Sequence, residues 1–333
     1  MWPSSRSLKV IRVEAPSRLH FGLLSLPGDT ESVLTVPHRH FGGVGLMIDR
    51  PGLALTLETA TDWSSQGRCA DRALAVAKMV CAKLGITQSF AINVERCPAE
   101  HVGLGTGTQL SLAVARAIAL ATNHEHLSVV ELARLTGRGR RSAIGIHGFE
   151  RGGFLVEAGK RHDEDISPLV ARMSFSEDWK VLLVIPNSLQ GDHGQTEAEA
   201  FQRLKGALPT PARTASLCRM VLLGMLPAIA EHDLDAFGTA LYEFNRCVGE
   251  VFHGAGHYYS HPRVAEIVDF LRKNGVQGVG QSSWGPAVFA VTEADRAERL
   301  ASALVMRFNV EKSELLITGA RNDGAFATAA TEI

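Results

Sequence analysis

An α+β protein of two domains is what the sequence predicts, and three observations carry that expectation. Its 333 residues exceed one ordinary domain. Apolar residues make up 45% and charged ones 21%, enough to bury a sizeable core and too apolar for general disorder. Strand-like and helix-like runs follow one another without strict βαβ alternation. A charged, proline-bearing stretch at Lys160–Pro168 divides the chain into residues 1–165 and 166–333.

The elements follow in order. Leu8–Glu14, with Val10, Ile11 and Val13, predicts a strand that Pro16 ends, because proline offers no N–H to a ladder. Leu53–Glu58 alternates apolar and polar residues, the pattern of a half-buried strand. Apolar positions between Asp71 and Leu84 recur at helical spacing, with Gly85 where a C-cap belongs. Ser89–Glu95 reads as a strand, and Ser128 with Glu131 three residues on reads as a capping box. The second half predicts a strand at Trp179–Ile185, a long helical stretch from Pro211 to Val251, and a helix at Val264–Asn274. A glycine-rich strand and turn at Val276–Val291, a helix at Asp295–Met306 and a closing strand at Glu314–Thr318 complete it.

Charge and composition exclude several classes. Lys and Arg number 34 against 35 Asp and Glu, so no nucleic-acid footprint spreads over the whole surface and no nucleic-acid partner is expected. No run of about 18 apolar residues predicts a membrane span; the nearest, Met220–Ala230, is short and holds Pro227. Five scattered cysteines make no disulfide framework and read as small buried apolar residues. A soluble, cytoplasmic protein is the expectation.

The most informative segment is Cys97–Thr122. Gly103, Gly105 and Gly107 form a tight loop that runs into the alanine-rich helix beginning near Leu110. Glycines let a backbone approach an anion closely, and orphan N–H groups at a helix start point toward it. Thr106 and Thr108 add hydroxyls. A plain structural turn accounts for the same letters. No Gly-Lys-Ser/Thr follows, so the loop is not a Walker A loop, and no acidic residue stands where a dinucleotide fingerprint needs one.

The run Pro98–Gln109 resembles the second motif of the GHMP superfamily, which includes galactokinase, homoserine kinase and mevalonate kinase. Ala15–Leu23, with Arg18 and His20, resembles the first motif, and Gly278–Ala290, with Ser282, Ser283 and Trp284, resembles the third. The three stand in the right order. The resemblance implies a two-domain GHMP-kinase-like fold, with a ribosomal-protein-S5-like N-terminal domain and a ferredoxin-like α+β C-terminal one. Two departures point away from the kinases. Thr106 and Thr108 stand where the kinase loop carries serines, and His147 stands where a kinase has its base aspartate. With the run Gly137–Phe154, these residues resemble the β-ribofuranosylaminobenzene 5′-phosphate synthase branch, which serves tetrahydromethanopterin synthesis.

That branch implies condensation of 4-aminobenzoate with phosphoribosyl pyrophosphate to a C-riboside, with release of pyrophosphate and CO₂. One contact to a ring NH₂ or OH would separate 4-aminobenzoate from 4-hydroxybenzoate, and the motifs leave both open. The resemblance also implies Mg²⁺ and a homodimer. Arg18, His20 and His147 are the implied catalytic residues. Gly103, Gly105, Thr106, Gly107, Thr108 and Gln109 are expected to cradle phosphates. Arg138, Arg140 and Arg141 read either as cations for the pyrophosphate or as a solvated helix terminus. Asp192, His193 and Glu197 read either as metal or substrate groups or as part of a helix start capped by Thr196. Ser282 and Ser283 are expected near phosphate, and Trp284 either flanks the aromatic acid or sits in the core. His253, His257 and His261 recur at four-residue spacing, but Gly254, Gly256 and Pro262 interrupt the helix a zinc site would need. An ATP-dependent small-molecule kinase and a non-catalytic metabolite binder are the competing readings.

Overall fold

The computed structural model describes residues 9–25, 39–187, 189, 211–253 and 256–331. Two sheets organise it. The first runs β11-β1-β2-β4-β3, with β5 on β2 and β6 on β5. Its strands are β1 Lys9–Leu23, β2 Gly43–Ala60, β3 Ser64–Gly67, β4 Ser89–Arg96, β5 Phe154–Glu157, β6 Leu169–Met173 and β11 Phe326–Thr331. Helices α1 Ala70–Leu84 and α2 Thr106–Ala121 cover it through a core that includes Ile11, Leu55, Val80, Ile92 and Leu112. The second sheet is antiparallel, in the order β10 Leu315–Gly319, β7 Trp179–Val184, β9 Val288–Glu293, β8 Gly278–Gln281. Helices Pro262–Lys273 and Ala294–Phe308 pack on it around Leu182, Ile267, Val279 and Leu304.

A further core joins the two sheets. It brings Leu19, Phe21, Leu46 and Phe154 of the first sheet against Val181, Leu183 and Phe289 of the second, with Phe237 and Phe244 between. The α+β class therefore holds, but the division expected at residue 165 falls inside the first sheet. β6 lies beyond that point and pairs with β5, while β11, near the C-terminus, pairs antiparallel with β1. The partner of β11 lies at the other end of the chain, so local composition carries no sign of that pairing, whereas β6 pairs with the strand just before it.

Three other elements differ from expectation. Pro16 does not end β1: it sits in a register shift between Ala15 and Ser17, and the strand continues to Leu23. A bulge tolerates a residue with no N–H to give. The stretch from Pro211 to Val251 is two helical segments, because Glu231–Asp233 turn the chain through a left-handed His232 (φ 57°). The first segment, Ala212–Ala230, is by length and composition apolar enough to cross a membrane. Its Leu217, Val221, Met225, Ala228 and Ile229 lie in the core shared by the sheets, while Leu222 and Leu223 are exposed. Of the cysteines only Cys81 is buried; Cys218 is exposed, and Cys69 and Cys97 meet with their sulfurs 3.3 Å apart.

The basic segment after α3 Val129–Leu135 is pinned by one carboxyl group. Glu157, at the end of β5, is fully buried. It accepts from the Ser142 hydroxyl (2.6 Å) and the Ala143 N–H (2.7 Å), fixing the approach to α4 Ile144–Arg151. Burial pushes its pKa up to about 7, against the lowering effect of those donors, Ser167 and Arg18. A carboxyl raised in this way binds its proton more tightly folded than unfolded. Its contribution to stability is complete below the ordinary carboxyl range and is lost as pH rises toward about 7. Denaturant midpoints between about pH 4 and pH 8 should show wild type losing up to about 3 kcal/mol relative to Glu157→Gln. Parallel pH profiles in the two proteins would contradict this.

Candidate active site

The three glycine-bearing motifs converge at one seam, closed by backbone hydrogen bonds and by the Ser282 hydroxyl. The His20 N–H donates to Ser282 Oγ (3.1 Å), and the Ser282 hydroxyl donates to the Gly103 carbonyl (2.8 Å). The Ser283 N–H donates to the His20 carbonyl (2.9 Å), and the Arg18 N–H to the Leu104 carbonyl (3.0 Å). Two glycines are required by this closeness. A Cβ on Gly103 would stand 2.2 Å from the Ser282 carbonyl oxygen, and one on Gly285 would stand 2.0 Å from the Val102 carbonyl carbon. No side chain fits at either point.

Gly105, in the left-handed region (φ 71°), is the N-cap of α2 and leaves the helix start without a side-chain cap or an acidic residue in its first turn. The first N–H groups of a helix have no intrahelical acceptor, so those of Thr106 and Gly107 are available to an anion. The Thr106 hydroxyl is engaged elsewhere, donating to the Ala99 carbonyl (2.9 Å). Thr108 lines the adjoining cleft.

That cleft, of about 1000 Å³, gathers Arg18, Arg72, Lys83, Arg138, Arg140 and Arg141 around the loop. Glu100 is the one carboxylate in the described wall, and Arg72 holds it in an ion pair. Burial, with Arg72 and Arg140 nearby, pushes the Arg138 guanidinium down to about 10, still charged at neutral pH. Its Nε donates to Ser111 Oγ (3.1 Å), which ties it to the second turn of α2. Such a wall attracts a ligand with several negative charges. For the implied Mg²⁺, the wall offers the Glu100 carboxylate, paired with Arg72, and hydroxyls such as those of Thr108 and Ser283, and no three His, Cys, Asp or Glu side chains cluster among the described residues. This donor set fits an ion that keeps several waters and is carried by the phosphates of a substrate.

Most of the residues singled out in the sequence meet here. Arg18, His20, Gly103, Gly105, Thr106, Gly107, Thr108, Arg138, Arg141 and Ser283 all line the cleft. Three do not. His147 is buried outside the cleft wall, where its Nε2 pairs with the Ser167 carbonyl (2.7 Å) and braces the turn before β6. Gln109 is buried too, donating to the Gly145 carbonyl (2.8 Å), so it fastens α2 to α4 instead of meeting a ligand. Ser282 is fully buried and acts as the stitch between motifs. Asp192, His193, Thr196 and Glu197 lie outside the described residues. His261 caps the helix at Pro262, its Nδ1 accepting from the Arg263 N–H (3.1 Å). Sequence reasoning missed Arg72, Lys83, Glu100 and Glu157. For Glu157 a signal existed: an acidic residue ends the otherwise apolar strand Phe154–Val156.

Comparison with known proteins shows the family to which the chain belongs. The family description "GHMP kinases N terminal domain" matches residues 71–153, and "GHMP kinases C terminal" matches residues 225–309. The β-ribofuranosylphenol 5′-phosphate synthase of Methanothermobacter thermautotrophicus is 32% identical over 94% of this chain and 97% of its own. The protein of the same name from Methanocaldococcus jannaschii is 29% identical over 94% and 98%. Among solved structures, homoserine kinase from Cytophaga hutchinsonii superposes with a TM-score of 0.66 at 16% identity, covering 98% of this chain and 99% of its own. Mevalonate diphosphate decarboxylase from Staphylococcus aureus gives 0.61 at 14%, covering 96% and 98%. At these identities the two structures speak for the fold alone. The chain belongs to the β-ribofuranosylphenol 5′-phosphate synthase family, built on the GHMP-kinase fold.

Proposed function

We propose that the protein is a decarboxylating C-ribosyltransferase that joins phosphoribosyl pyrophosphate to a 4-substituted benzoate. The observation that carries this reading is the cleft whose described residues include six cationic side chains and a single, already paired carboxylate beside a glycine-loop helix start. Phosphoribosyl pyrophosphate bears charge at both ends, and its leaving group gains more as it departs. Arginines, Lys83 and the N–H groups of Thr106 and Gly107 oppose that charge without moving. Mg²⁺ carried on the pyrophosphate would neutralise it further. A kinase reading has only superfamily likeness behind it, and Glu100, held by Arg72, is poorly disposed to take a hydroxyl proton.

The bond changes balance without an external base. The ring carbon that bears the carboxylate attacks C1 of the ribose as the C1–O bond to pyrophosphate breaks. The bond to the carboxylate then breaks, its electron pair restores the aromatic ring, and CO₂ leaves. A para amino or hydroxyl group donates electrons to that same carbon, so 4-aminobenzoate and 4-hydroxybenzoate both suit the chemistry. The family resemblance implies 4-aminobenzoate while the motifs leave both acids open; the relatives' name, with its phenol, favours 4-hydroxybenzoate.

Incubation with phosphoribosyl pyrophosphate, Mg²⁺ and either carboxyl-labelled acid should release CO₂ and pyrophosphate in equal amounts without ATP. ATP-dependent phosphorylation of an alcohol, with no CO₂ from either acid, would overturn the reading.

Gly107→Ala tests the loop itself. A Cβ there would stand 2.6 Å from Arg72 Nη2, the far end of a flexible side chain, so the guanidinium shifts while the fold survives. Alanine also favours a helix over glycine by about 1 kcal/mol. Stability should therefore be unchanged or slightly raised, while the KM for phosphoribosyl pyrophosphate should rise about tenfold, the loss of roughly 1.4 kcal/mol of binding. An unchanged KM would remove the loop start from the site.

A further inference from the structure

Beside the cationic cleft lies a smaller recess of about 50 Å³, and the two share His20, Leu23, Ser283 and Trp284. The recess differs from its neighbour in kind. Phe21, Val248, Phe252 and Trp284 supply its apolar surface, His253 and Tyr258 also line it, and among the described residues no Lys, Arg, Asp or Glu does. Burial, with Arg18 adding to it, keeps the His20 imidazole far below its usual pKa and so neutral. The Asn245 and Gln281 amides are engaged internally: Asn245 donates to the carbonyls of Phe21 (2.8 Å) and Gln281 (2.9 Å), and Gln281 donates to the Gly285 carbonyl (2.8 Å). An anion gains nothing in such a place. A flat, uncharged ring edge gains burial.

The mouth is held rigidly. Ser283 has a left-handed backbone (φ 56°), unusual for a residue with a Cβ, and its N–H is tied to the His20 carbonyl. Gly285 beyond it is pressed against Val102 and Gly103. Trp284 is thus fixed between two immovable neighbours, with its ring 4.4 Å from that of Phe252 at 66°. That edge-to-face pair borders both the recess and, through Trp284, the cleft.

Size decides what enters. A cavity of about 150 Å³ encloses a whole benzene ring. A recess of 50 Å³ therefore takes the leading edge of a ring and its substituent, leaving the opposite carbon in the cleft. Resting on the function proposed above, we infer that this recess receives the para end of the aromatic acceptor, so that the carboxylate-bearing carbon faces the ribose bound among the cations. Val248 and Phe252 then set how large the para substituent can be, and His20 meets the ring where recess and cleft join.

Binding read without turnover tests this, by equilibrium dialysis of labelled 4-hydroxybenzoate, 4-aminobenzoate and phosphoribosyl pyrophosphate. Phe252→Trp, which fills the recess, should weaken the preferred acid about tenfold or more and leave phosphoribosyl pyrophosphate unchanged. Val248→Ala, which enlarges it, should gain affinity for 4-ethoxybenzoate relative to wild type, a gain that misfolding cannot mimic. Wild-type affinities for the acids in both variants, or equal losses of acid and phosphoribosyl pyrophosphate, would overturn the inference. If neither acid yields CO₂ in wild type, the functional reading fails by itself. If CO₂ is released but the variants bind the acids as wild type does, the recess assignment fails by itself.

Discussion

The hydroxyl of Ser282 accepts from the His20 N–H and donates to the Gly103 carbonyl, and through these two bonds three distant parts of the chain become one wall. Each is a neutral hydrogen bond worth about 1 kcal/mol net, yet leaving either partner buried and unpaired costs about 1–3 kcal/mol. The arrangement depends on the glycines around it, since a Cβ on Gly103 or Gly285 would drive the strands of this seam apart. With the seam closed, β1 presents Arg18 and His20 beside the loop, and Trp284 is carried to the border of the cleft and the recess. The core shared by the two sheets gives this contact its stiffness, because Phe21 on β1 packs 5.0 Å from Phe289 on β9.

The site stores unfavourable electrostatics. Among the described residues six cations face one cleft with a single carboxylate, and Arg138 holds its proton less tightly because of burial and its neighbours. Like charges in a half-buried wall repel more strongly than in water. A polyanion relieves that repulsion, so binding and folding are coupled, and a ligand of this kind raises stability by mass action. The neutral recess next door divides labour with the cleft: charge holds one substrate, and shape receives the other.

Much of this was legible in the sequence, and what was not had physical reasons. The spacing of Gly103, Gly105 and Gly107 suits a plain turn as well as a phosphate loop, and the loop could be read because the run Pro98–Gln109 resembles the second GHMP motif; Arg138 and Arg141 came with the run that follows. Arg72 and Lys83 could not. They occupy the polar positions of the amphipathic helix α1, where nothing local separates a cation facing a cleft from one facing solvent. His147 occupies a motif position, but its ring turns to the Ser167 carbonyl, a choice made by a turn twenty residues away. Pro16 reads as a strand end until the bulge beside it is known. Strand β11 owes its place to a partner at the other end of the chain, so its assignment to the first sheet needed the fold.

The most direct measurement is equilibrium binding of phosphoribosyl pyrophosphate to Ser282→Ala, with no acceptor present and with thermal unfolding followed in parallel. Removing the hydroxyl leaves the His20 N–H and the Gly103 carbonyl without their shared partner. The account predicts a folded protein with a lowered melting temperature and an affinity reduced about tenfold or more, since the loop is then held against β1 by the Arg18 N–H to Leu104 carbonyl bond without the Ser282 bridge. A folded Ser282→Ala protein that binds phosphoribosyl pyrophosphate as tightly as wild type would contradict it.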